Sequence, residues 1–327
     1  MLLQVQDLVV EFQTYRGIVH ALNGVTFSID KGEVLGLAGE TGSGKSVTAT
    51  AIQRLLSQNA RIVSGKIIFD GIDLLGLTEE EMQKIRGKRM ATIFQDPHTY
   101  LNPVFKIESQ FLDVLKQQDP EVIAAKGDKE KEKIAKEKAI EMLKRVKMPA
   151  AERVMKMYPH ELSGGMKQRV LLAMAYSLSP DLIIADEATT ALDVTIQAQV
   201  LDIMKDLQRE KNLSVLLITH DLGIIAENCQ KVAIMYAGRV VEFGPVMKVL
   251  IDPKHPYTQG LIKALPRTDK EVIPVGIPGT VPDLVNPPTG CPFHPRCPFV
   301  MDICKSKIPP YFSEDGVDVA CYLYPRR

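Results

Sequence analysis

An apolar run that passes without interruption into a glycine-rich octapeptide is the strongest constraint on how this chain folds. Val34-Leu35-Gly36-Leu37-Ala38 leads directly into Gly39-Glu40-Thr41-Gly42-Ser43-Gly44-Lys45-Ser46. Such a run reads as a strand buried on both faces, the kind that makes parallel sheets. Gly39, Gly42 and Gly44 let backbone N–H groups converge without Cβ clashes, and a helix starting near Lys45 adds its N-terminal dipole. A strand, Gly-x-x-x-x-Gly-Lys-Ser and then a helix is the context of a loop that cradles phosphates. Lys45 is placed to reach β- and γ-phosphates and Ser46 to bind Mg²⁺, with Ser43 and Val47 in the same loop.

Two more apolar runs, Leu182-Ile183-Ile184-Ala185 and Val215-Leu216-Leu217-Ile218, each end at polar residues. In parallel sheets functional groups gather at such carboxyl ends. Asp186 fits a Mg²⁺-holding role, directly or through water, and Glu187 is placed to polarise an attacking water as general base. The alternative for this pair is a buried structural acidic couple. His220, in Ile218-Thr219-His220-Asp221, is placed to contact a γ-phosphate; taken alone it would read as a satisfied strand-end histidine. Leu162-Ser163-Gly164-Gly165 is a second phosphate-contacting loop, of the kind used across a dimer interface.

At 327 residues the chain has room for one large domain plus an appendage, or for two ordinary domains. Lys plus Arg and Asp plus Glu both total 40, so net charge is zero and no basic excess points to nucleic acid. No apolar stretch of about 18 residues or more suggests a membrane span. The N-terminal Met1-Leu2-Leu3-Gln4-Val5-Gln6-Asp7 reads as a strand, not a signal peptide, which points to a cytosolic protein.

Residues 1–250 alternate short strands with helical stretches, and Leu8 to Ile29 suggests a small antiparallel β layer ahead of the parallel core. From Gln95 to Leu162 the pattern is helical. Lys126 to Lys147 is dense in Lys and Glu, with Ile134, Ile140, Met142, Leu143 and Val146 near a helical repeat. Its interleaved charges read as a solvated face with i,i+4 pairs. After residue 250 prolines recur and periodicity fades, as expected of an irregular appendage that needs a staple.

That appendage holds Cys291, Cys297, Cys304 and Cys321, with five, six and sixteen residues between them; Cys229 stands apart as a plain buried or partly exposed thiol. In a reducing compartment clustered cysteines favour metal over disulfides. The spacing does not match the paired C-x₂-C of zinc ribbons. Four thiolates suit a [4Fe–4S] cluster in number and softness; zinc held by four Cys, or by three with His294, and unligated thiols or disulfides remain alternatives.

The order of the motifs resembles the nucleotide-binding subunit of ATP-binding cassette (ABC) transporters: phosphate loop Gly39 to Ser46, Gln95 in the Q-loop, signature Leu162-Ser163-Gly164-Gly165-Met166, Walker B strand to Asp186 with catalytic Glu187, D-loop Ala191-Leu192-Asp193, and switch histidine His220. Met166 departs from the glutamine of the commonest signature. The resemblance implies an α/β fold: a P-loop NTPase core over 1–250 with a mixed sheet, an antiparallel β layer and a helical signature subdomain at about 96–178, plus the Pro/Cys-rich extension 251–327. It also implies a head-to-tail dimer in which ATP on one phosphate loop is capped by Ser163, Gly164 and Gly165 of the other subunit. Asp193 lies near that ATP, and Tyr15, with Phe12 nearby, matches the adenine-stacking aromatic. Gln95 joins Ser46 and Asp186 at Mg²⁺, and residues 96–110 face a membrane subunit's coupling helix.

A second resemblance rests on His255-Pro256-Tyr257-Thr258, Ile277-Pro278-Gly279-Thr280-Val281-Pro282 and Gly290 through Cys304. These resemble the C-terminal extension of oligopeptide and dipeptide importer ATPases, in which the cysteines are associated with a [4Fe–4S] centre. The implied function is ATP hydrolysis that drives peptide import. Its partners would be an identical or paralogous cassette, two transmembrane permeases and, indirectly, an extracytoplasmic peptide-binding protein, with the chain peripheral on the cytoplasmic membrane face. A nickel or other small-solute importer is the nearest alternative. A soluble ABC ATPase of iron–sulfur assembly, ribosomes or DNA repair is the more distant one.

Overall fold

The structure is a computed structural model that describes residues 1–94, 97–188, 193–265 and 276–324. The chain forms two compact units, one of residues 1–30, 34–76 and 217–327, the other of 31–33 and 77–216.

The first unit carries the antiparallel layer expected from the sequence. Leu3–Thr14 and Gly17–Ile29 make a long hairpin, Leu3 opposite Ile29 and Thr14 opposite Gly17, so Tyr15 and Arg16 form its tip. Leu3–Thr14 also pairs antiparallel with Ala60–Phe69, which continues into Ile72–Asp73. Leu3 and Val5, then Leu8 and Val10, are buried while residues between them stay wetter, the period-two pattern of a one-sided sheet broken once by a register shift between Val5 and Leu8.

A second sheet in this unit runs in the order Phe312–Glu314, Val317–Val319, Arg239–Pro245, Lys231–Tyr236, Val34–Ala38. Val34–Ala38 pairs parallel with Lys231–Tyr236, and all its residues are buried, which explains its unbroken apolar run. The other pairs in this order are antiparallel.

The segment beyond residue 250 is better integrated than its composition suggests. Its hairpin Phe312–Glu314/Val317–Val319 extends the sheet through Val319 opposite Glu242. Cys291, Phe293, Cys304 and Val317 share a core with Ile234, Tyr236, Val249 and Tyr257. Strands of three residues are too short to display a period, and prolines mask the anchors between them.

The second unit sets Met90–Ile93 parallel to Leu182–Asp186. Its helices include Ile107–Gln118, Asp128–Arg145, Gly164–Ser177 and Val194–Lys211. The Lys/Glu-rich stretch is the helix Asp128–Arg145 as its periodicity predicts, but the fully buried positions are Ala135, Ala139 and Leu143, with Ile134 and Ile140 half-buried. Small alanines permit a close helix approach that isoleucines would hold apart. Among the described residues no helix is long and apolar enough to cross a membrane.

Candidate active site

The phosphate loop follows directly from the buried strand Val34–Ala38 and feeds the helix Lys45–Ile52. Gly39 takes φ +153°, and a Cβ there would lie 2.2 Å from the carbonyl oxygen of Met235, so only glycine fits. The Ala237-Gly238 turn grips the loop, Gly238 N–H donating to the Ser43 carbonyl at 2.9 Å. Lys45 is buried, and its Nζ donates to the carbonyls of Gly39 (2.9 Å) and Glu40 (3.1 Å). No side chain caps the helix Lys45–Ile52 at Gly44. Ser43 is 1% exposed and its Oγ finds no protein partner. A buried hydroxyl without a partner, beside an uncapped helix start and a lysine, is a constellation that fits phosphate oxygens. Ser46 and Gly42 are exposed at the same loop and Val47 is half-buried behind them.

Elsewhere in the first unit, Thr219 N–H donates to the Leu37 carbonyl at 3.3 Å, tying the end of Ser214–Ile218 to the phosphate-loop strand. This places His220, which is exposed, one residue beyond that tie; Asp221 then caps the helix Leu222–Asn228 through Gly223 and Ile224 N–H. Tyr15, at the hairpin tip, is 99% exposed, as an aromatic ready to stack on a planar ligand must be.

In the second unit Asp186 ends its strand half-buried, and Glu187 follows with φ +46°. Ser163 caps the helix Gly164–Ser177, its Oγ accepting from Met166 N–H at 3.3 Å. The Met166 departure therefore leaves the cap untouched, because only its backbone takes part. Asp193 caps Val194–Lys211 by accepting from Ile196 N–H at 3.0 Å. The two caps are neighbours: a Cβ on Gly165 would meet Ile196 Cγ2 at 2.7 Å. Gln95, Ala191 and Leu192 lie outside the described residues. Beyond Gln95, Tyr100, Val104 and Phe105 are large apolar side chains left 47%, 70% and 52% exposed.

The structure adds residues to the phosphate loop that the motifs do not assign. Glu40 N–H donates to Tyr257 Oη at 2.9 Å, and the Glu40 carboxylate accepts both Nη groups of Arg296 at 2.8 and 3.1 Å. Tyr257 stands where it does because His255 caps the helix Pro256–Lys263, its Nδ1 accepting from Tyr257 N–H at 3.0 Å. His255 is almost wholly buried, and desolvation lowers its pKa to about 3, so the ring is neutral and Nδ1 is free of a proton. Phe293 packs edge-on to Tyr236 and at a tilt to Tyr257 and His255.

Cys291, Cys297, Cys304 and Cys321 line one small enclosed cavity with His255 and Phe293, and none of them is in a disulfide. Burial pushes the thiols of Cys291 and Cys321 up to about 11 and raises that of Cys297. His294 turns its Nδ1 toward the Cys291 carbonyl, 2.9 Å away. Among the described residues no three His, Cys, Asp or Glu side chains close on a point as one metal ion requires. Cys229, half-buried in the same unit, has its thiol pushed up to about 12 by desolvation, which makes it inert, as expected from its isolation.

Residues 22–190 match a family described as ABC transporter, and residues 241–304 match one described as oligopeptide/dipeptide transporter, C-terminal region. The chain is 48% identical over 314 residues to the oligopeptide transport ATP-binding protein OppD of Bacillus subtilis, covering 95% of this chain and 85% of that one. The chain belongs to the ABC transporter family. It is an ATPase of that family. OppD of Salmonella typhimurium is 47% identical over 98% of this chain and 93% of its own length, and the dipeptide transport ATP-binding protein DppD of Lactococcus lactis 46% identical over 95% and 87%. Among solved structures, the dimeric post-hydrolysis ATP-binding cassette MJ0796 bound to ADP and Pi matches with a TM-score of 0.64 and 26% identity, over 75% of this chain and 98% of that one. The ABC ATPase match and the peptide-transporter match meet at the phosphate loop: Tyr257 and Arg296 lie in the second region, Glu40 in the first.

Proposed function

We propose that this ABC ATPase powers the import of dipeptides or oligopeptides through partner membrane permeases. The observation that carries this reading is one chain holding both the Gly39 to Ser46 loop and a peptide-transporter-type C-terminal region. Residues 1–250 serve as the nucleotide-binding part and 251–327 as its extension.

Two such subunits, identical or paralogous, close head to tail around two ATP. The dimeric cassette among the similar structures supports that arrangement. Backbone N–H groups from Gly39 to Ser46, Ser43 Oγ and Lys45 bind the phosphates, Val47 lines the loop, and Tyr15 stacks on adenine. Ser163, Gly164 and Gly165 cap the phosphates in trans, with Asp193 at that junction. Ser46, Asp186 and Gln95 hold Mg²⁺, which neutralises charge on the phosphates. Glu187 takes a proton from the attacking water, and His220 orients the γ-phosphate. The exposed Tyr100, Val104 and Phe105 support an apolar contact with a permease, and the subunit works peripherally at the cytoplasmic membrane face. A binding protein outside the membrane supplies the peptide.

Cys291, Cys297, Cys304 and Cys321, which line one cavity, would hold a [4Fe–4S] cluster that cross-links the lobe; zinc is the alternative. Anaerobic purification with iron, sulfide and zinc analysis tests this. About four iron and four sulfide per chain are expected, and stoichiometric zinc without sulfide contradicts it.

The function is tested by peptide uptake in cells carrying only wild-type or Glu187→Gln protein. Uptake should stop in the variant, and the wild-type chain should co-purify with membrane-spanning subunits. Unchanged peptide uptake, or association only with ribosomes or DNA, contradicts the proposal.

A further inference from the structure

Arg296 sits between Cys291 and Cys297, yet its side chain leaves the cysteine-bearing lobe and ends at the phosphate loop. Its Nη1 donates to Glu40 Oε2 at 2.8 Å and to Tyr236 Oη at 3.4 Å; its Nη2 donates to Glu40 Oε1 at 3.1 Å and to the Ile277 carbonyl at 3.2 Å. Its Nε donates to the Pro278 carbonyl at 2.9 Å. A guanidinium has five N–H donors, and all of them are used. The side chain is 5% exposed and Glu40 27%, so the pair is largely shielded from water.

The other atoms of Glu40 are held as firmly. Its N–H donates to Tyr257 Oη, and its carbonyl accepts from Lys45 Nζ at 3.1 Å and from Ser43 N–H at 3.1 Å. Glu40 is therefore the residue through which the C-terminal lobe grips the loop from outside while Lys45 and Ser43 hold it from inside. Neither the nucleotide chemistry nor the thiols call for an arginine here. A surface ion pair would contribute little, but a forked, five-bond arginine in a dry site fixes geometry.

We propose that Arg296 is a positioning residue for the ATP site: clamped on Glu40, it makes the cysteine-bearing lobe hold the phosphate loop in its binding shape. The inference rests on the reading of Gly39 to Ser46 as the ATP-binding loop. Without the clamp, ATP must order the loop as it binds, so affinity falls while the chemistry at the γ-phosphate changes little. Because coupling is reciprocal, disturbing the lobe through Cys291 or Cys297 weakens ATP binding by the same path.

The test is a double-mutant cycle on the full chain with Arg296→Ala, Glu40→Gln and both together, read by Mg²⁺-dependent binding of a fluorescent N-methylanthraniloyl ATP and by ATP turnover. Each single variant should weaken binding about tenfold, and the double variant no more than either single, as for two ends of one contact. KM for ATP should rise in step, with kcat within about threefold, since the lost interaction is not specific to the transition state. Arg296→Lys should fall between, keeping the charge but losing the fork. Wild-type affinity in Glu40→Gln overturns the proposal, as does full additivity; Glu40→Gln keeps the test valid if Arg296→Ala does not fold. Lys45→Ala separates the two readings. If it binds the nucleotide normally, the phosphate-loop assignment fails; if it loses binding while Glu40→Gln does not, only the Arg296 proposal fails.

Discussion

The phosphate loop and the cysteine-bearing lobe occupy the same compact unit but hold their shapes by opposite means. The loop takes its course from its own backbone, through glycine conformations, a buried strand before it and a helix after it, and the lobe reaches it at Glu40. The lobe has short elements, and three-residue strands and isolated turns cannot hold it; its anchors are side chains, with Phe293 against three rings and four thiols around one cavity. Damage to the loop should therefore be local and functional, whereas damage to the lobe should be global and thermodynamic, reaching function only through Glu40.

The largest effect expected from this contrast is at Gly39. Gly39→Ala puts a Cβ 2.2 Å from the Met235 carbonyl oxygen, so the loop must deform. ATP binding, measured by calorimetry, should fall by roughly two orders of magnitude, the cost of misplacing a preorganised site, with the far-UV spectrum of the fold retained. Loss of the whole fold would show the loop to be no more self-contained than the lobe.

Phe293→Ala comes next. Deleting a ring that is 1% exposed should cost about 3–5 kcal/mol of stability in denaturant unfolding, the usual range for a buried Phe. ATP affinity should decline with it, because Tyr236 and Tyr257 lose their packing partner. A stable variant would mean that the thiols alone hold the lobe.

The smallest effect near neutral pH concerns His255. Its folded pKa of about 3 lies below the ordinary 6.5, so below pH 6.5 the unfolded chain takes up a proton that the folded chain refuses. Stability from this group is present above pH 6.5 and is lost as pH falls toward 3, by up to about 1.4 kcal/mol per pH unit. Glu242, whose carboxylate accepts from the backbone N–H of Lys254 and His255, opposes this, since burial raises its pKa and favours its protonated folded form. The difference between wild type and His255→Gln isolates the histidine: the acid-side loss in melting temperature should be shallower in the variant. Parallel pH profiles would remove His255 as a buried neutral cap.

The contrast also explains what could be read in advance. The strand–loop–helix around Gly39 to Ser46 and the strand that ends at Asp186 were legible because they are local features of the chain. The antiparallel layer was legible from the strand-like front Leu8 to Ile29. The Ala135 and Ala139 seam of Asp128–Arg145 was not, because a periodicity of large apolar residues overlooks small ones packed tightly. His255-Pro256-Tyr257 was visible as a marker, but its cap and its hydroxyl contact were not. Arg296 was invisible as a partner of Glu40, since 256 residues separate them and no pattern along the chain records such a contact.

The central claim is that two of these subunits close around ATP and that Glu187 opens them again by hydrolysis. Analytical ultracentrifugation of the Glu187→Gln protein with Mg²⁺ and ATP tests it most directly, alongside turnover. The account predicts a stable dimer that retains one ATP per chain, with hydrolysis slowed by about 10²–10⁴-fold, the usual contribution of a general base. A monomer that turns over ATP at the wild-type rate would contradict it.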